Sequence, residues 1–340
     1  MPTIYTAGNK GDKVRSDCFL SLQITKSGGR DISLDSKVKS LYGSHIYELL
    51  NDVLDHYNLD HVKLEAEDTG ALDFVIAART EAVIRKALKR VDGYLLPLAE
   101  FNDYSSSKER NRFSRLYLPG NIPGMMINAG IHHPDGIILD LEDSVAPDKK
   151  DESRILVRNA LCSLNFYGAE RMVRINQVPA GLIDIREVVP FNVHLILVPK
   201  CEHPEQINMV NEEIRKVLEK NMLKREVFLM PIVESALGVE NAFAIASAPN
   251  VVALAIGLED YTADLGVRRT QDANESFYAR TRIVNASKAA GIQAIDSVFS
   301  DVGDEEGLRK TIKISKSLGF EGMGCIHPRQ IKVIHESFAP

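Results

Sequence analysis

A (β/α)8 TIM barrel preceded by a small α+β domain is the α/β architecture this sequence predicts, and three observations predict it. Short apolar runs recur through residues 113–340: RLYLPG, GIILDLED, RMVRIN, HLILVPK, VFLMPIVES, VVALAIGLED, IQAIDSV and EGMGCIHP. Helical patterns such as PEQINMVNEEIRKVLEK and ESFYARTRIVNASKAAG separate most of them, the rhythm of parallel strands joined by crossover helices. The length of 340 residues suits one barrel of roughly 250 residues with a small module added. An open doubly wound sheet is the competing architecture, but no GxGxxG follows any of the strands.

Residues 1–95 read as a separate unit. CFLSLQIT alternates and predicts a strand, followed by the turn residues Ser27–Arg30. Residues 40–58 carry Leu41, Ile46, Leu49, Leu50, Val53 and Leu54 at helical spacing. VKLEAED and ALDFVIAA predict two further strands in a hairpin at Thr69-Gly70, before a second helix from Thr80 to about Lys89. Residues 96–112 then form a linker. Its second half, NDYSSSKERNR, is polar and without periodicity.

Within the barrel, each apolar run stops on a polar or ionisable residue. Active sites of this architecture collect at those carboxyl ends. The positions are Asn121, Glu142 with Asp143, Arg174 with Asn176, Lys200, Glu234, Glu259 with Asp260, Asp296 and His327. Glu234 and Asp260 follow two continuous apolar runs, where charge is costly unless a cation meets it. A pair of acids at neighbouring strand ends predicts a divalent cation held by oxygen ligands. Arg174, inside the run MVRIN, must find an anion, and a substrate carboxylate offers a bidentate one. One of Glu142 and Asp143 serves equally well as a helix cap, and Lys200 as a counter-charge.

Composition narrows the function classes. The 41 basic and 47 acidic residues are interleaved, for a net charge of −6, which argues against a nucleic-acid face. The cysteines Cys18, Cys162, Cys201 and Cys325 are far apart with no C-x-x-C, so reduced thiols are expected rather than zinc or disulfides. The start MPTIYTAGNKGDKVR lacks the apolar core of a signal peptide, and no apolar run is long enough to span a bilayer. A cytoplasmic protein without membrane partners is expected.

The same residues carry a family resemblance. LYLPGNIPGMM, DGIILDLEDSVAPDKKDESR, ERMVRIN, PIVESALGVENA, AIGLEDYTADLG, AGIQAIDSVFSD and IHPRQI span the barrel in order. Residues 112–340 thereby resemble the citrate lyase β subunit and the malyl-thioester lyases, metal-dependent aldolases. The resemblance implies Mg²⁺ held by Glu234 and Asp260, with Arg174 gripping a keto-acid carboxylate and Glu142 and Asp143 lining the site. It also implies a homo-oligomer, a trimer or hexamer of barrels. AEDTGALDFVIAARTEAVIRKAL, with LDSKVKSLYGSHIYELL and AGNKGDKVRSD, makes residues 1–95 similar to the γ subunit of citrate lyase, an acyl carrier protein. That implies association with other citrate-lyase-type subunits and a phosphoribosyl-dephospho-coenzyme-A arm on a serine. Aligning Asp17 with the carrier's aspartate puts Arg15 at the serine position and leaves Ser16 one residue late. Ser16 is the candidate attachment point, and a carrier fold that has lost its arm is the alternative. Many relatives also continue beyond the last motif into a lid whose aspartate reaches a neighbouring site, and no residue here matches that aspartate.

The expected chemistry is retro-Claisen cleavage of a 3-hydroxy-acid thioester, of citryl, citramalyl or malyl type, into a 2-oxo acid and an acyl thioester. Glu142 and Asp296 are the candidates for the base. Asn121 and Lys200 are expected to bind substrate, which would be a free coenzyme A thioester or one on the carrier arm. The competing readings are a 2-oxo-acid aldolase that uses no thioester and a non-catalytic metabolite-binding or scaffold subunit.

Overall fold

The computed structural model describes residues 3–270 and 273–339. Two compact units account for the chain. The first comprises Met1–Asn102, Gly120–Ile127 and Val145–Leu164; the second comprises Asp103–Pro119, Asn128–Ser144 and Asn165–Pro340.

The first unit holds β1 (Tyr5–Ala7), β2 (Cys18–Ile24), β3 (Arg30–Ser36), α1 (Lys39–His56), β4 (Val62–Asp68) and α2 (Asp73–Leu88). The sheet order is β1-β2-β4-β3, with only β3 and β4 parallel. In β4 the alternation of VKLEAED becomes strict: Val62, Leu64 and Ala66 are buried while Lys63, Glu65 and Glu67 are exposed. The segment ALDFVIAA is not a strand. It opens α2, where every residue from Phe74 to Ile84 is buried. A helix buried all round shows no polar face, so its apolar run resembles a buried strand. The Thr69-Gly70 turn leads into this helix, with Asp68 Oδ1 accepting from the N–H groups of Gly70 and Ala71.

In chain order the remaining elements are β5 (Ser114–Pro119), α3 (Pro123–Met126), β6 (Gly136–Asp140), α4 (Lys150–Ser163), β7 (Glu170–Arg174), α5 (Leu182–Val188), β8 (Leu195–Val198) and α6 (Pro204–Lys220). After these come β9 (Phe228–Val233), α7 (Ala236–Glu240), α8 (Ala242–Ala246), β10 (Ala253–Ile256), α9 (Leu258–Asp264), α10 (Phe277–Ala290), β11 (Gln293–Asp296), α11 (Glu305–Leu318), β12 (Gly322–Cys325) and α12 (Arg329–Phe338). α3 and α4 fall in the first unit, where α4 lies against α2. Strands β5 to β12 close into a parallel barrel in sequence order, as the rhythm of the sequence predicts. Side chains of Ile138, Met172, Leu197, Met230, Ala255 and Ile295 fill its core. Helix ends obey local chemistry: Asp304 caps α11 by accepting from Gly307 N–H, and Gly319 closes it at φ 102°.

Residues 103–112, expected as a linker, are strapped to the second unit. Tyr104 donates its hydroxyl proton to Ala169 O, and the fully buried Arg112 makes two hydrogen bonds with Glu170 at 2.7 and 2.8 Å. A polar composition does not make a tether when its charges have buried partners. No helix among the described residues is long and apolar enough to cross a membrane.

Candidate active site at the carboxyl ends of the barrel strands

Side-chain parity decides which strand-end residues meet. Successive residues of a barrel strand face alternately inward and outward. Ile138, Met172, Ile232 and Ala255 pack in the barrel core. Counting by twos from them reaches Asp140 and Glu142, Arg174, Glu234 and Gly257. Ile295 also packs in that core, so Asp296 faces the outer helices instead. There it is bound by Arg280 and Ser315, buried with them, and the structure does not bring it to the other acids. The expectation of Asp296 as base is corrected on that ground.

Arg174 has found its anion within the protein. Its Nε and Nη2 donate to the two oxygens of Asp140 at 2.6 and 2.7 Å. The bidentate partner expected from substrate is therefore Asp140, a residue the sequence reading passed over although it shares parity with Glu142. Nη1 remains directed at acids, 3.1 Å from Glu142 Oε2 and 3.7 Å from Asp143 Oδ2. The guanidinium lies over the Tyr117 ring, 5.4 Å from its centroid. Glu142 is nearly buried, and burial raises its carboxyl above the usual range against the pull of Arg174. Gln177 donates to its Oε1 at 3.2 Å.

Lys200 leaves β8 with a left-handed backbone, φ 47°. Its ammonium lies 3.7 Å from Glu142, 3.9 Å from Asp143 and 3.7 Å from Asp260. Although partial burial works against its charge, Asp143, Glu142 and Asp260 together raise its pKa.

Glu234 differs from the others. It is 6% exposed, and its Oε2 is buried without a hydrogen-bond partner. Burial, reinforced by Glu142 and then Asp260 against Arg174, pushes the carboxyl up to about 8. The parallel register places Val233 beside Ile256, so Glu234 is level with Gly257. A Cβ on Gly257 would lie 2.7–3.0 Å from Glu234 Cγ, Oε1 and Cδ. Gly257 therefore makes the space Glu234 occupies, and the Gly before the LED of the sixth strand was the available signal. Asp260, in the first turn of α9, completes the group.

Five carboxylates thus share two cations, Arg174 and Lys200. No three His, Cys, Asp or Glu side chains among the described residues form a preformed metal cage. Magnesium does not require one, since it binds through one or two carboxylates and keeps the rest of its octahedron for water and substrate. Anionic and rich in oxygen, with Glu234 buried and Asp260 open to solvent, the donor set fits that ion.

Asn121 and Ser16 belong to the first unit. Asn121 O accepts from Asn9 and Arg79, while its Oδ1 is buried without a partner. Ser16 is half-buried at φ 55°, and the neighbouring Asp17 is 1% exposed and held by Arg79. His327, after β12, accepts the N–H of Arg329 on its Nδ1.

Residues 114–328 match the model of the HpcH/HpaI aldolase/citrate lyase family. The chain belongs to the HpcH/HpaI aldolase/citrate lyase family. It is a lyase of that family by sequence as well as by barrel. Residues 10–87 match an acyl-carrier model described as the malonate decarboxylase delta subunit, so the carrier-like character of the N-terminal domain stands under a different subunit's name. Citrate lyase subunit beta of Leuconostoc mesenteroides subsp. cremoris is 38% identical over 239 residues, 69% of this chain and 79% of its own. The mitochondrial citramalyl-CoA lyase of Homo sapiens is 33% identical over 253 residues, 70% of this chain and 74% of its own. Among solved structures, the citrate lyase beta subunit from Mycobacterium tuberculosis with oxaloacetate and magnesium superposes with a TM-score of 0.56 at 28% identity, covering 68% of this chain and 99% of that one. The CitE protein of the same organism with magnesium, acetoacetate and coenzyme A gives a TM-score of 0.58 at 28% identity, covering 69% and 83%.

Proposed function

We propose that this family member is a Mg²⁺-dependent carbon–carbon lyase that cleaves a 3-hydroxy-acid thioester of citryl, citramalyl or malyl type into a 2-oxo acid and an acyl thioester. The observation that carries this reading is Glu234, a buried carboxylate with an unpartnered oxygen amid other acids. Such a group is stable as an anion only beside a cation. Glu234 and Asp260 would hold the metal, which when bound supplies Lewis-acid stabilisation to a negatively charged substrate oxygen.

The remaining residues have distinct tasks. Glu142, with its raised carboxyl, takes the proton of the substrate hydroxyl. As the carbon–carbon bond breaks, its electron pair passes to the acyl half as an enolate, which is then protonated at carbon. Asp140 locks Arg174 so that Nη1 keeps one orientation toward the 2-oxo-acid half, with Asp143 beside it. Lys200 supplies positive charge at the same end.

The test is cleavage of citramalyl-, malyl- and citryl-coenzyme A by purified protein with Mg²⁺, each against the free hydroxy acid. Cleavage of at least one thioester, abolished by a chelator, is expected. Turnover of free hydroxy acids alone would assign an aldolase that needs no thioester, and binding of oxaloacetate without any turnover would assign a non-catalytic subunit. The association expected is a trimer or hexamer, measurable by light scattering, in the cytoplasm, where the four buried free thiols stay reduced. Intact mass of protein from its native host decides whether Ser16 carries a prosthetic arm.

Gly257 gives a sharper local test. Gly257→Ala inserts a methyl group against Glu234. Titration calorimetry is expected to show Mg²⁺ affinity lowered about tenfold or more, the scale on which disturbing the surroundings that orient a metal ligand acts. Unchanged affinity would remove Glu234 from the ligand set.

A further inference from the structure

Lys200 is placed unlike an ordinary ion-pair lysine. Its ammonium stands 3.7–3.9 Å from carboxylate oxygens of Glu142, Asp143 and Asp260, and hydrogen-bonds to none of them. It is an ion-pair partner to all three carboxylates rather than a hydrogen-bond donor to one of them. It sits at a common distance from three, as a shared charge does. Its backbone holds a left-handed conformation that non-glycine residues adopt rarely and at a cost, φ 47°. The side chain remains 35% exposed, on lysine's flexible four-carbon stem. Arg174, the other cation of the group, is by contrast locked by Asp140.

We propose that Lys200 is a placeholder cation. It neutralises Glu142, Asp143 and Asp260 while the protein is metal-free. With a divalent cation held by Glu234 and Asp260, the Lys200 ammonium would leave Asp260 and turn to the carboxylate of an arriving 2-oxo acid. Metal binding then precedes oxo-acid binding and promotes it through Lys200, in addition to direct ligation. This inference rests on the magnesium reading above.

The opposite role, a strut that holds Asp260 and Glu142 in place for the metal, predicts the opposite sign, so one measurement separates them. Mg²⁺ is titrated calorimetrically into metal-free wild-type, Lys200→Met and Lys200→Arg proteins, with circular dichroism confirming the fold of each and Lys200→Gln replacing Lys200→Met should that variant not fold. Pyruvate, a 2-oxo acid with no bond to cleave, is then titrated at saturating Mg²⁺. Lys200→Met is expected to bind Mg²⁺ about tenfold tighter, the scale of one positive charge removed several ångströms from a divalent ion in a water-like dielectric. It is expected to bind pyruvate about tenfold more weakly, whereas Lys200→Arg stays near wild type in both. Unchanged or weaker Mg²⁺ binding by folded Lys200→Met overturns the placeholder role and leaves the metal assignment intact. Absence of any Mg²⁺ binding in the wild type overturns both.

Discussion

Glu234→Gln is expected to abolish measurable Mg²⁺ binding and to lower kcat/KM for thioester cleavage by about a thousandfold or more. A Lewis acid at the reacting oxygen contributes several kcal/mol, and each 1.36 kcal/mol is a factor of about ten. The same substitution has a second consequence of opposite sign. In the metal-free protein the Glu234 carboxyl titrates near 8, above its ordinary value of 4.5, because burial disfavours its charge. The folded state therefore binds a proton that the unfolded state releases. Stability from this group is present below about pH 4.5 and is lost as pH rises toward 8. Once pH has passed the folded value the loss is on the order of 5 kcal/mol. Metal-free Glu234→Gln carries no such charge, so chemical denaturation at pH 8.5 should find it more stable than wild type, with the two converging near pH 5. For the wild type, Mg²⁺ affinity should rise toward pH 8, since the ion displaces that proton. A pH-independent difference in stability would show that Glu234 is not held in a desolvated pocket.

Arg79→Met is expected to destabilise the protein by about 3–5 kcal/mol, the cost of removing one partner from a buried ion pair. Arg79 is fully buried in the first unit and donates to both oxygens of Asp17 at 2.9 Å. It also lies 3.5 Å from Glu152 on α4 and donates to Asn121 O at 3.1 Å. Glu152 keeps Lys86 at 2.6 Å and Lys149 at 2.9 Å, so it survives the loss. Asp17 keeps only neutral donors, Asn9 and the Cys18 N–H, and bears the cost. Combining Arg79→Met with Asp17→Asn should recover part of the stability, because the orphaned charge is then gone. Denaturant unfolding of the four proteins of that cycle measures it. Additive losses would mean that Arg79 and Asp17 do not stabilise one another.

The barrel was legible because its signals are local. Apolar runs such as GIILD and LILV bury every residue, and that pattern survives in the sequence whatever the partners are. α2 was misread for the same reason, since Phe74–Ala78 is apolar whether strand or helix and only the packing around it selects. The stretch 103–112 looked like a tether because the burial of Arg112 depends on Glu170, 58 positions away. Glu142, Asp143, Arg174, Lys200, Glu234 and Asp260 could be picked out as strand-end residues before any contact was known. Asp296 met the same criterion and failed it in space.

For the barrel, the amino-acid order alone settled how many strands there are, that they run parallel, and where each ends in a polar group, because these follow from the spacing of apolar residues along one segment. Which of those polar groups face one another was decided by the closed barrel. Closure fixes the parity of every strand against its neighbours, turning Glu234 toward Glu142 and Asp260 and turning Asp296 outward to Arg280. It also gave Asp140 to Arg174, a pairing between positions 34 apart that only strand register creates.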